Sequence, residues 1–245
     1  MRIRDWLQAA KPKIGTVLTI DHPVTTEVAM LAGFDWLWID AEHGRFNEAS
    51  AATACAITSG RVPTFIRVPD KSETAIKRYL DAGADGIIIP QVSSLAEARA
   101  ITRAAVYAPH GERSVGIARA QGYGKSFAAS MAERSYAIMV QIETVAGVRA
   151  VESIVAEPDI DAVIIGPYDL SSSYGAPGDI GCDPVQGAIA TVLRACKAAG
   201  KPCGIFAGNS DTARLYVQQG FNLVGLGIDT QTLTNAYQSL REATL

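Results

Sequence analysis

Two acidic residues of this chain, Glu143 in VQIET (140–144) and Asp169 in GPYDLS (166–171), each close an apolar, β-branched run. Carboxylates at the ends of successive core strands are hard oxygen donors. With water and a chelating ligand they suit Mg2+ or Mn2+. The competing reading is structural: one acid caps a helix and the other pairs with an arginine. Further polar residues fall at strand ends, namely Asp40, Glu42 and His43 in IDAEH, Arg67 in FIRV, then Gln91, Gln141, Asn209 and Asp229. His43 has the side chain for proton transfer near neutral pH, and as a lone histidine it also fits a solvated loop. His22, before Pro23, reads as a helix-start residue and His110 as a loop residue. Arg67 interrupts an apolar strand, so its guanidinium must meet an anion, either Asp40 or Glu143 or a substrate carboxylate. The lysines are read as absent from strand interiors and C-terminal strand ends. That argues against a Schiff base and for metal-assisted carbonyl activation. The cysteines show no CxxC spacing and no His/Cys cluster suits zinc.

Eight apolar runs position these residues: 13–19, 35–40, 62–68, 85–90, 136–143, 161–167, 202–208 and 222–229. Near-continuous apolar character marks parallel strands covered on both faces. Amphipathic, Ala-rich segments lie between them, at 23–32, 47–59, 72–82, 94–105, 145–156, 184–199, 210–219 and 230–243. Capping residues are expected at Asn47, Ser72, Ser94, Asp183 and Ser210. Stops are expected at Gly33, Gly60, Gly83, Gly200 and Gly220. Eight strand–helix units predict one domain over 1–245, a (β/α)8 TIM barrel with a parallel eight-stranded core. A doubly wound sheet is the alternative, weakened because no GxGxxG follows the first strand. The long irregular segment 106–125 reads as an active-site cover or an interface element.

Hydrophobic residues make up 48%, charged residues 19%, and the formal net charge is -3. Without a basic stripe, nucleic acid is not an expected partner. No apolar run approaches the ~20 residues of a membrane helix, and no signal-peptide pattern opens the chain. A cytoplasmic protein with free thiols is expected.

The motifs AGFDWLWIDAEH (32–43), PTFIRVP (63–69), LDAGADGIIIPQV (80–92), RSVGIARAQGYG (113–124), VQIET, GPYDLS and GLGIDT (226–230) run in order over nearly the whole chain. In them the chain resembles the class II, pyruvate-dependent aldolases of the 4-hydroxy-2-oxoheptanedioate aldolase (HpcH/HpaI) type. The resemblance implies reversible cleavage of a 4-hydroxy-2-oxo acid to pyruvate and an aldehyde through a metal-stabilised pyruvate enolate. It implies that Glu143 and Asp169 bind Mg2+ or Mn2+, with Co2+ as an alternative. Arg67 would contact the keto oxygen, Gln141 would position pyruvate, and backbone N–H groups near Tyr168 and Asp169 would hold its carboxylate. His43 would move protons, with Asp81 as its acidic partner. Because Asp81 ends a helix leading into strand four, it would have to come from a neighbouring subunit. The resemblance further implies a homohexamer, a trimer of dimers, whose paired barrels exchange the last helix, 230–243. Tyr168 departs from the GPADLS wording of other members and matches the macrophomate synthase branch.

Three other activities compete: an oxaloacetate decarboxylase of the macrophomate-synthase kind, a citrate-lyase-β or malyl-CoA-lyase-like enzyme, and a non-catalytic small-acid binding protein. The aldehyde pocket is expected from 106–125 and 206–209, with Arg119 or Lys125 as a cation for a dicarboxylate substrate.

Overall fold

The computed structural model describes residues 2–244. Eight parallel strands close into a barrel in chain order: β1 (Lys13–Leu18), β2 (Trp36–Asp40), β3 (Thr64–Arg67), β4 (Gly86–Ile89), β5 (Ala137–Ile142), β6 (Ala162–Ile165), β7 (Cys203–Ala207) and β8 (Leu223–Ile228), with β8 pairing back on β1. Each lies inside one of the expected apolar runs. The chain is therefore a (β/α)8 TIM barrel. The main outer helices are α2 (Pro23–Leu31), α3 (Glu48–Thr58), α4 (Glu73–Asp81), α5 (Leu95–Ala105), α7 (Val145–Val155), α9 (Asp183–Ala198), α10 (Ser210–Gln219) and α11 (Asp229–Glu242). Three short helices lacked a clear sequence signal: α1 (Ile3–Gln8), α6 (Phe127–Ala132) and α8 (Pro167–Ser173). A 3-10 turn over Arg119–Gln121 lies within the long loop.

The side-chain period of two divides each strand between two cores. Leu37, Ile39, Ile66, Ile87, Ile89, Val140 and Val163 pack outward beneath the helices. Trp36, Trp38, Phe65, Ile88, Met139 and Ile164 fill the barrel interior. Trp36 takes its space from Gly15, where an added Cβ would lie 2.5 Å from the indole. The same inward parity, continued upward, carries Asp40 after Trp38, Arg67 after Phe65, and Gln141 and Glu143 after Met139. The polar ring is thus the top of the interior stack.

Helix stops follow expectation. Gly33, Gly60, Gly83, Gly200 and Gly220 all have positive φ, the region a side chain penalises. Asn47, Ser72 and Ser94 cap their helices. Two caps sit one residue earlier than expected. Cys182 rather than Asp183 is the N-cap of α9, and Asn209 rather than Ser210 caps α10 by accepting from the Thr212 N–H at 2.9 Å. His22 caps α2, with Nδ1 accepting from the Val24 N–H.

Lys13 corrects the reading of the lysines, because it is the buried first residue of β1. It lies at the N-terminal end of the barrel, donating to the Ala9 and Lys11 carbonyls beneath the Trp6 ring. Among the described residues no lysine ends a strand at the C-terminal face. At the seam, buried Asp229 accepts from the Thr19 and Ile20 N–H groups and from Thr19 Oγ1, fastening β8 to the end of β1. Beyond it every described residue of α11 is exposed.

Candidate active site at the C-terminal face of the barrel

Asp40 and Arg67 end neighbouring strands in direct register. The register makes a two-pronged pair: Arg67 Nε donates to Asp40 Oδ1 at 2.9 Å and Nη2 to Oδ2 at 2.7 Å. Arg67 Nη1 faces Glu42 Oε2 at 3.1 Å. Asp40 Oδ1 also accepts the Glu42 and His43 N–H groups, so one carboxylate shapes the turn and aims the guanidinium. Burial alone would lower the Arg67 pKa, but Asp40, Glu42 and Glu143 outweigh it and hold the group raised. Burial likewise raises Glu42, against the lowering pull of Arg67. His43 is exposed, with Nε2 3.8 Å from Glu42 Oε2.

Across the barrel, Glu143 is buried just past β5. Oε1 accepts the Gln91 N–H at 2.8 Å and Oε2 accepts from Gln141 Nε2. Gln91 holds this position with a left-handed φ of 55°. Asp169 stands in the first turn of α8 rather than at the strand end, and it is exposed. Burial, and then the Asp169 charge, push the Glu143 carboxyl up to about 7. Gly166 makes the fit: a Cβ there would overlap Glu143 Oε2 and lie 2.5 Å from Gln141 Nε2.

A cavity of about 140 Å3 joins the two sides. Its polar wall is Asp40, His43, Arg67, Gln141 and Asp169. Its apolar wall is Val17, Trp38, Pro167, Tyr168, Phe206 and Ile228. His43, Arg67, Gln141, Tyr168 and Asp169 of the expected site therefore meet, with Glu143 bonded to Gln141 behind them. Asp81 does not join them. It ends α4 and pairs at 2.5 Å with Arg113, whose side chain is buried between Tyr107 and Tyr136.

The loop 106–125 does not line this cavity. Together with α6 it connects the end of α5 to the start of β5, and so lies at the N-terminal face. There Arg119 donates to the Cys55 carbonyl, and a Cβ on Gly83 would touch its guanidinium. Arg119 and Lys125 therefore supply no cation to the pocket of their own barrel. Of the expected aldehyde-pocket residues, Phe206 lines the cavity and Asn209 is occupied as a cap. Of the two expected protein partners of Arg67, Asp40 makes the pair. Glu42 lay in the expected strand-end ring without a role, and its contact with Arg67 emerges only from the structure.

Glu143 and Asp169 fit a hard divalent ion as a donor set. Two carboxylate oxygen sources meet at one mouth, and the Gln141 Oε1 beside them is buried without a protein partner. Among the described residues no three His, Cys, Asp or Glu side chains form a protein-only metal cage. Such a site leaves coordination positions to water and substrate.

Residues 13–236 match the family described as HpcH/HpaI aldolase/citrate lyase. The chain belongs to this family. It is 35% identical over 237 residues to a 4-hydroxy-2-oxovalerate aldolase of Rhodococcus jostii, covering 96% of this chain and 92% of the relative. It is 34% identical to a hydroxypyruvate/pyruvate aldolase of Agrobacterium fabrum, covering 98% and 91%. An HpcH/HpaI aldolase/citrate lyase family protein from Burkholderia cenocepacia superposes with a TM-score of 0.94 at 32% identity, covering 99% of both chains. This HpcH/HpaI chain thus sits in a family of aldolases and lyases. Among its described residues no helix is long and apolar enough to cross a membrane.

Proposed function

We propose that this HpcH/HpaI chain is a class II aldolase that joins pyruvate to an aldehyde and cleaves the resulting 4-hydroxy-2-oxo acid. The observation that carries the reading is the charge imbalance at the barrel mouth. Four carboxylates (Asp40, Glu42, Glu143 and Asp169) stand at or just behind a cavity whose lining holds one permanent cation among the described residues, Arg67. A divalent ion (Mg2+, Mn2+ or Co2+) held by Glu143 and Asp169 would supply Lewis-acid polarisation of the 2-oxo group.

The residues then divide the work. Arg67, fixed on two sides by Asp40 and Glu42, presents its guanidinium toward the keto oxygen and stabilises the negative charge that develops there. Gln141 orients the acid, and the Tyr168 and Asp169 N–H groups receive its carboxylate. His43 takes a proton from the methyl group, giving the enolate. The enolate carbon attacks the aldehyde carbon, and the new alkoxide takes up a proton to become the 4-hydroxyl. Cleavage runs the same steps backward.

The assembly is part of the proposal. Asp81 is turned to the N-terminal face, so it serves a neighbour's His43. Leu233, Tyr237 and Leu240 on α11 are exposed apolar side chains, as are Val24, Val28 and Leu31 on α2. Such faces suit a hexamer with exchanged last helices.

The test is proton exchange of pyruvate in D2O, followed by NMR. It is run metal-free, with Mg2+ or Mn2+, and with Glu143→Ala. Exchange that requires both metal and Glu143 is the expected result. Its absence under every metal, in folded protein, removes the enolate.

A further inference from the structure

The cavity of about 140 Å3 holds roughly five waters at ~30 Å3 each. A small 2-oxo acid takes most of that space, so the second reactant must extend into the mouth. Two aromatic rings stand there. Tyr168 and Phe206 have centroids 6.0 Å apart and planes inclined by 54°. Tyr168 is 49% exposed and leans over the β7–α10 loop, where a Cβ on Gly208 would lie 3.4 Å from its hydroxyl.

The charges around this mouth point one way. Arg67 is the only permanently cationic side chain lining the cavity among the described residues, and its Nε, Nη1 and Nη2 already face Asp40 and Glu42. The buried polar atoms of the lining that lack protein partners are neutral: Trp38 Nε1, a donor, and Gln141 Oε1, an acceptor. Within its own chain, a second carboxylate here would meet other carboxylates and, among the described residues, no free cation. Apolar or flat groups instead find two ring faces.

We propose that Tyr168 and Phe206 form the acceptor subsite, selecting an uncharged aldehyde with an apolar or aromatic substituent over one ending in a carboxylate. The proposal rests on the pyruvate-enolate reading above. Its test uses the full oligomeric protein with Mn2+. Pyruvate proton exchange is measured first, then carbon–carbon bond formation with acetaldehyde, propanal, benzaldehyde and succinic semialdehyde. The expected kcat/KM for propanal and benzaldehyde exceeds that for succinic semialdehyde by at least about tenfold. In Phe206→Ala and Tyr168→Ala the benzaldehyde-to-acetaldehyde ratio falls by a similar factor, and Tyr168→Phe, which keeps the ring, restores it. Exchange accompanied by equal or better use of succinic semialdehyde overturns the acceptor assignment alone. No exchange overturns the enolate reading, and this inference with it.

Discussion

Glu143 is where burial and charge conflict most directly. It sits under Gly166, bonded to Gln141 and to the Gln91 N–H, and it faces Asp169. Burial first, and then Asp169, raise its pKa from 4.5 to about 7, with the Gln91 N–H opposing. The sign follows from proton counting. Between about pH 4.5 and 7 the folded chain holds a proton that the unfolded chain has lost, so stability falls as pH rises through that window. The difference corresponds to on the order of 3 kcal/mol. Urea unfolding of metal-free protein at pH 5.5 and pH 8 should show roughly 2 kcal/mol of that loss, and Glu143→Gln should flatten it. A wild-type profile without the slope would mean the carboxyl is not desolvated as the geometry requires. A divalent ion held by Glu143, as proposed, would compete with the same proton, so its apparent affinity should rise from pH 6 to 8 and then level.

At the scale of elements, the β2–β3 register does the positioning. Placing Asp40 opposite Arg67 builds the clamp without any loop adjustment. The two side chains are only 3% and 11% exposed. Removing one partner strands a buried charge at a cost of about 3–5 kcal/mol, whereas replacing both with apolar residues is far milder. Asp40→Asn should therefore lower stability in denaturant titrations and abolish turnover. The double variant Asp40→Leu, Arg67→Leu should recover part of the stability, since Glu42 loses its Arg67 contact, and none of the turnover. Equal losses in both variants would show that the pair does not act as a unit. This register is also what the chain could not disclose. Each strand was legible as an apolar run, and each helix stop as a glycine, because both are local signals. Glu143, Asp169 and His43 were legible as strand-end or near-end residues. The Arg67 partner was legible only as a choice between Asp40 and Glu143. The destination of 106–125 depends on which end of the barrel a helix returns to, and composition alone left an active-site cover and an interface element both open. The short helices α1, α6 and α8 have too few turns to display a period.

For the whole molecule, the separation of His43 from Asp81 carries a distinct expectation. If neighbouring subunits complete each other's sites, inactive His43→Ala and Asp81→Ala proteins, unfolded and refolded together, should regain activity in proportion to the mixed sites formed. Activity assays on mixed and separately refolded samples decide the matter. No recovery, with mixed oligomers demonstrated by mass, would place each site within one chain. The Asp229 clasp bears on the same question. Because the first residue of the last helix finishes the seam with its carboxylate, positions 230–242 are left exposed and owe their side chains to no interior of their own barrel. Truncating Leu233, Tyr237 or Leu240 should therefore cost the barrel itself little stability, and any larger loss would report a partner packed on that face.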